Sequence, residues 1–267
     1  MHVDAKEKLD GRVSVAAELA DRFDALLVGI SAWRPTAVFV SAEELADPPP
    51  TQPHLRDMMS ALDLKGREFR AAVERDGRRV EWRSVLETPV EAVARAARAA
   101  DLVIIGRSDR SGSPFVTLDP GTLVLKTGRP VLVVPPAVTT LLPRRVAIAW
   151  KDAREARRAV QDAVPFLHEA ESVLVVEVSE AGEGEEALAH VKDVAGYLTR
   201  HGIEVIAERV RPDEVGASES LLHLIRDENI NLIVAGAYGH SRIGEWAFGG
   251  ATRGLLAASP ICCLLSH

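Results

Sequence analysis

Short apolar runs alternate with longer stretches in which apolar positions recur every three or four residues, and this alternation runs the length of the chain. Ala25-Leu-Leu-Val-Gly-Ile30, Leu102-Val-Ile-Ile105 and Val131-Leu-Val-Val134 are apolar without alternation, as strands covered on both faces are. Arg79-Val-Glu-Trp-Arg83 reads as a further strand, and Met1–Asp4 as the closing residues of another whose beginning is missing. Between them, Val13, Ala16, Ala17 and Ala20 fall at helical spacing, as do Leu55, Met58 (or Met59), Leu62, Phe69 and Val73. Thr88-Pro89-Val90-Glu91 predicts a capping box opening a helix that buries Val90, Val93, Ala94 and Ala97. Strand–helix alternation of this kind predicts right-handed βαβ units around a parallel sheet.

After a connection punctuated by Pro135, Pro136 and Pro143, the pattern starts again at Arg145. Strands are expected at Val146–Trp150, Ser172–Val176, Ile203–Ala207, Leu232–Ala235 and around Cys262-Cys263. Helices are expected through Ala156–Leu167, Leu188–Leu198 and Leu221–Ile225, with a short one at Arg253–Ala258. Without gaps, Asp4–Ile30 overlays Lys151–Glu177, Asp101–Gly106 overlays Asn231–Gly236, and Arg129–Val134 overlays Ser259–Leu264. Two copies of one α/β domain follow, 1–138 and 144–267. The proline-rich loop around Pro48–Pro50 is a surface connection, and Glu183–Glu186 a solvated loop and helix start.

The chemistry concentrates in Gly236-Ala-Tyr-Gly239-His240-Ser-Arg242-Ile-Gly-Glu-Trp-Ala-Phe-Gly249-Gly250-Ala251-Thr252, which leaves a strand and enters a helix. Glycines there admit a close ligand, and free N–H groups at the helix start favour an anion. The spacing Gly-x2-Gly-x9-Gly is neither a GxxxxGK[ST] loop nor a GxGxxG fingerprint.

Composition narrows the choice. A net charge of −7 without a basic block excludes a nucleic-acid footprint, and no run is long enough to span a membrane. The opening residues lack a signal-peptide core, so the expectation is a cytoplasmic protein. Cys262 and Cys263 are adjacent and fall in an apolar run, where inert packing is expected. No HExxH or HxxxH pair, GxSxG elbow or Cys–His arrangement is present, and no metal site is expected. Trp246 and Phe248 are read as packing residues, and His240 as a loop or interface histidine.

With the repeat and the glycine spacing in hand, the chain resembles the universal stress protein family, in its tandem two-domain form, over nearly its whole length. The resemblance implies, for each domain, a Rossmann-like (adenine nucleotide α-hydrolase-like) five-stranded parallel sheet of order 3-2-1-4-5, with helices on both faces. It also implies a non-enzymatic stress-response role and ATP or another adenine nucleotide, with Mg if ATP binds, at the carboxyl ends of the strands. The site it marks comprises Gly236, Gly239, His240, Arg242, Gly249, Gly250, Ala251, Thr252, Lys151 and Asp152. Gly250 stands where the family has Ser or Thr, with Thr252 two residues on as a replacement hydroxyl. Lys151 stands where the family has an adenine-side aspartate, with Asp152 beside it. The first domain keeps that aspartate as Asp4 but sets Asp109 and Asp119-Pro120 over Gly239 and Gly249-Gly250. A carboxylate there occupies the N–H groups a phosphate would use.

Two other readings stay open beside the nucleotide-binding adaptor: a nucleotide-hydrolysing or -transferring enzyme of the same fold, and a ligand-free interaction module. The expected partners are a small nucleotide and the other domain of the same chain as an intramolecular pseudo-dimer, with a homodimer also open; neither nucleic acid nor membrane is expected.

Overall fold

The computed structural model describes residues 1–35, 51–107, 117–178, 184–210, 216–238 and 250–267. In the first half, α1 (Gly11–Arg22), β1 (Leu27–Ala32), α2 (Gln52–Val73), β2 (Val80–Val85), α3 (Pro89–Ala96), β3 (Val103–Gly106), α4 (Pro120–Thr127) and β4 (Val131–Val134) follow one another. The second half continues with β5 (Arg145–Trp150), α5 (Arg154–Leu167), β6 (Ser172–Val178), α6 (Gly184–Arg200), β7 (Val205–Val210), α7 (Ala217–Asp227), β8 (Leu232–Gly236), α8 (Gly250–Ala258) and β9 (Cys262–Ser266).

The helices form where apolar periodicity and end chemistry agree. Asp10 caps α1 by accepting the Arg12 N–H at 3.1 Å, and α1 then buries Val13, Ala16, Ala17 and Ala20. Thr51 caps α2, whose buried stripe takes Met58 and leaves Met59 in solvent. The capping box expected at Thr88 does not form. The Thr88 side chain makes no cap bond, and Glu91 pairs instead with Lys126 of α4. Packing of α3 on α4 draws the carboxylate across, and the buried residues of α3 are Pro89, Ala92 and Val93.

The sheet departs from two separate five-stranded units. Seven strands form one sheet in the order β3-β4-β9-β8-β5-β6-β7, and β1-β2 form a two-stranded parallel sheet. The strands β7-β6-β5-β8-β9 of the second half are parallel to their neighbours throughout. The two halves join where β4 meets β9 antiparallel, with Leu132 opposite Leu264. In the first half, residues 1–4 lie between β1 and β3: Val3 N–H donates to Ile30 O at 2.8 Å and His2 N–H to Ile104 O at 2.9 Å. They make one isolated bridge rather than a strand, because Asp4 turns the chain there. Its Oδ1 accepts the N–H groups of Lys6 and Glu7 at 2.8 and 3.2 Å.

Both faces are covered. One core layer includes Val15, Leu132, Ile148, Trp150, Val160, Val194 and Leu264; the other includes Ile105, Leu123, Val133, Ile233, Leu255 and Leu265. Each draws on both halves, so the β4–β9 seam is buried core. Cys262 and Cys263 sit in it as free thiols, and burial pushes them up to about 12 and about 11. They are inert packing, as expected.

Candidate functional site

The carboxyl ends of β5, β6 and β8 open into a cleft of about 540 Å³, a volume within the range of small-molecule sites. The first turns of α5, α7 and α8 converge on it, through Ala153–Ala156, Gly216–Ser218 and Gly250–Thr252. This is the crevice that a sheet leaves where its strand order reverses, between β5 and β8. Neither Ala153 nor Gly216 caps its helix with a side chain. The uncapped N–H groups of α7 therefore bring their partial positive charge to the cleft, while in α5 the buried Glu155 carboxylate takes one such N–H.

Gly236, Gly250, Ala251, Thr252, Lys151 and Asp152 all line this cleft. Gly239, His240, Arg242 and Gly249 lie outside the described residues, as do Asp109, Trp246, Phe248 and the Pro48–Pro50 loop. The roles of the placed residues are more particular than sequence reasoning suggested. A Cβ on Gly236 would stand 2.5 Å from the backbone N of Ala156. The glycine thus lets β8 approach the first turn of α5. Among the described residues, nothing lies within 4 Å of the place a Cβ on Gly250 would take. The buried Thr252 directs its hydroxyl back to Gly236 O at 3.5 Å, tying α8 to the strand end. Asp152 is ion-paired with Arg157, while Lys151 is exposed. Trp150, which ends β5, lines one wall.

Two cleft residues escaped the sequence reading. Glu155, 1% exposed, sits in the first turn of α5. Burial works to raise its carboxyl, but its own backbone N–H and Arg154 outweigh that and hold it below the usual carboxylate range. Glutamate in a first turn is a common helix signal, and nothing in its spacing announced burial. Tyr238, at φ +61°, places its hydroxyl against Gly121 in α4 of the first half. The cleft is thereby in contact with the other half of the chain.

The corresponding end of the first half is different. Asp119 Oδ2 accepts the Thr122 N–H at 2.7 Å and caps α4 from within the chain. A cavity of about 240 Å³ beside it is lined by His2, Asp4, Asp10, Arg12 and Gly106, among others. Arg12 is buried, and its guanidinium fills the space next to Gly106 while pairing with Asp10 through two bonds of 3.0 and 2.9 Å. Burial first, and Arg12 second, press the His2 imidazole down to about 3. Asp4, spent on the turn at Lys6 and Glu7, is held by its own chain.

No family model matches the chain, and no curated protein matches it in sequence. Solved structures do match. A universal stress protein from Archaeoglobus fulgidus DSM 4304 superposes with a TM-score of 0.69 at 14% identity, covering 96% of this chain and 90% of that one. A functionally unknown protein from Pseudomonas aeruginosa PAO1 superposes with a TM-score of 0.57 at 15% identity, covering 94% and 85%. A protein from Pseudomonas aeruginosa UCBPP-PA14 gives 0.58 at 15% identity, covering 94% and 86%. The chain is therefore an α/β protein with a predominantly parallel sheet. Over nearly all its length its fold is that of a universal stress protein.

Among the described residues, no helix is long and apolar enough to cross a membrane, and no three His, Cys, Asp or Glu side chains converge as metal ligands.

Proposed function

We propose that the chain is a tandem universal stress protein, with domains at 1–138 and 144–267, that binds an adenine nucleotide in the second-half cleft and signals without catalysing a reaction. The observation that carries this reading is the convergence of three helix N-termini on a cleft of about 540 Å³ at the strand ends. The residues fit the phosphates of such a ligand. Among the described residues Gly250 leaves room at the start of α8, the α7 terminus has no side-chain cap, and Lys151 adds a cation. They fit the adenine-side aspartate less well, since Asp152 is committed to Arg157. The base is held instead by the apolar walls of the cleft, Val176, Val178 and Leu221. Mg would accompany ATP, held chiefly by phosphate oxygens and water.

The first domain is closed to nucleotide by Asp119, which satisfies the α4 terminus and repels a phosphate. An adaptor role is favoured over an enzyme because Glu155 and Asp152, the cleft carboxylates among the described residues, are tied to Arg154 and Arg157 rather than poised as an acid–base pair.

A thermal-shift panel of ATP, ADP and AMP, with and without Mg²⁺, tests this. A nucleotide at a hundred times its Kd adds about 2.7 kcal/mol, a readable rise in Tm. Absence of a shift with every adenine nucleotide would leave the ligand-free module as the reading to keep.

A further inference from the structure

Tyr238 follows β8 and lines the second-half cleft, yet its hydroxyl ends in the first half, against Gly121 in the first turn of α4. We infer that the first half sets the ligand affinity of this cleft through the Gly121–Tyr238 contact. Helix α4 is the seat that fixes an aromatic wall of the site, and a displacement of that seat is felt by the ligand. The inference rests on the cleft being the nucleotide site proposed above.

Three observations carry it. The first is the fit. A Cβ at Gly121 would lie 2.3 Å from the Tyr238 hydroxyl oxygen and 3.4 Å from its Cζ. Packed atoms do not approach to 2.3 Å, so the hydroxyl occupies the space that the missing side chain leaves. Gly121 is buried, and its φ is not in the left-handed region, so the backbone itself does not call for glycine. A helix also disfavours glycine relative to alanine. What glycine provides at this position is room for the tyrosine.

The second is the backbone of Tyr238, at φ +61°. The other non-glycine residues at positive φ among the described ones are Asp24 and Asn229, types that tolerate it, whereas a bulky aromatic there is an outlier. Such a conformation persists only where the surroundings hold it. Just before it, the Ala237 N–H donates to Ser266 O at 2.8 Å, and the ring packs on the core layer that includes Leu123 and Leu255. The ring is rigid. To retreat from Gly121 it has to turn about its Cα–Cβ bond or shift its backbone, and either movement reshapes the cleft.

The third is the repeat. In the register that sets Asp101 over Asn231, Gly121 stands over Ala251 and Ser108 over Tyr238. The glycine–tyrosine pair therefore runs in one direction, from the second-half cleft to the half whose helix start is capped by Asp119.

Gly121→Ala and Tyr238→Phe, singly and together in the full chain, test this by two readouts. The first needs no ligand. In backbone amide NMR spectra, Gly121→Ala moves the resonances of the cleft residues Gly236, Ala251 and Thr252. In the Tyr238→Phe background it moves them no further, because the added Cβ then meets Cζ at an ordinary contact distance. The second is calorimetric titration with ATP. Gly121→Ala weakens binding at least about fivefold, the low end of ordinary coupling between sites, and has no further effect in the Tyr238→Phe background. If Gly121→Ala does not fold, the double variant does, since the clash is gone. The inference is overturned if Gly121→Ala leaves the cleft amides in place or binds ATP as the wild type does. It is equally overturned if the alanine acts undiminished in the Tyr238→Phe background, or if the double variant is also unfolded. A wild-type chain that binds no adenine nucleotide refutes the proposed ligand; the ligand-free amide shifts then decide the coupling.

Discussion

At the scale of single residues, Gly236 and Gly250, which stand at the end of β8 and the start of α8, have opposite duties. Gly236 ends β8 under the first turn of α5, where any side chain meets helix backbone. Gly250 opens α8 with nothing among the described residues within 4 Å of the position a Cβ would take. Gly236→Ala is therefore expected to destabilise the protein by about 1–3 kcal/mol through overpacking. Gly250→Ala is expected to be neutral or stabilising by up to about 1 kcal/mol through the lower entropy of its unfolded state. Urea denaturation of the two variants checks the contrast, and equal effects would show that the close approach at Gly236 is not what holds the strand end. Sequence spacing made both positions look like ligand glycines, because a motif records where a side chain is absent and not what fills the space. The same limit hid Glu155 and Tyr238. Burial of a first-turn glutamate, and a tyrosine at positive φ reaching the other half, depend on neighbours far away in sequence.

At the scale of elements, apolar runs placed the strands within a few residues, because a strand buried on both faces must be apolar along its length. The pairing partner of β4 was not legible. Val131–Val134 reads the same whether its outer edge faces solvent or β9, and here it faces β9 antiparallel. Residues 1–4 were legible as strand-like, but the turn at Asp4, made by side-chain oxygen to backbone N–H bonds, confines them to a single bridge. The ends of helices divide in the same way. Thr88 has the residues of a capping box and none of its bonds, since Glu91 is pulled to Lys126. Asp119 has the bond. Asp119→Ala is expected to cost about 1 kcal/mol, the usual worth of a side-chain cap, whereas Thr88→Ala costs less than half of that. Thermal unfolding of the pair checks this, and equal losses would contradict the assignment of the cap to Asp119 alone.

At the scale of the whole molecule, the two halves are joined by backbone hydrogen bonds at β4–β9 and by two core layers that run through the seam. The halves then use equivalent strand ends differently. The second half leaves helix termini facing a cleft of about 540 Å³; the first half caps its own terminus with Asp119 and narrows the space to about 240 Å³ with Arg12 and the Asp4 turn. One carboxylate placed at the start of α8 should make the second half resemble the first. Gly250→Asp does this at a position where no described residue lies within 4 Å of the added Cβ, so that the fold is expected to be kept while a phosphate would be repelled. Calorimetric titration with ATP tests the account most directly. It predicts one site per chain in the wild type, and binding lost in Gly250→Asp with Tm unchanged without ligand. Two sites per chain, or a Gly250→Asp variant that binds ATP as the wild type does, would contradict it.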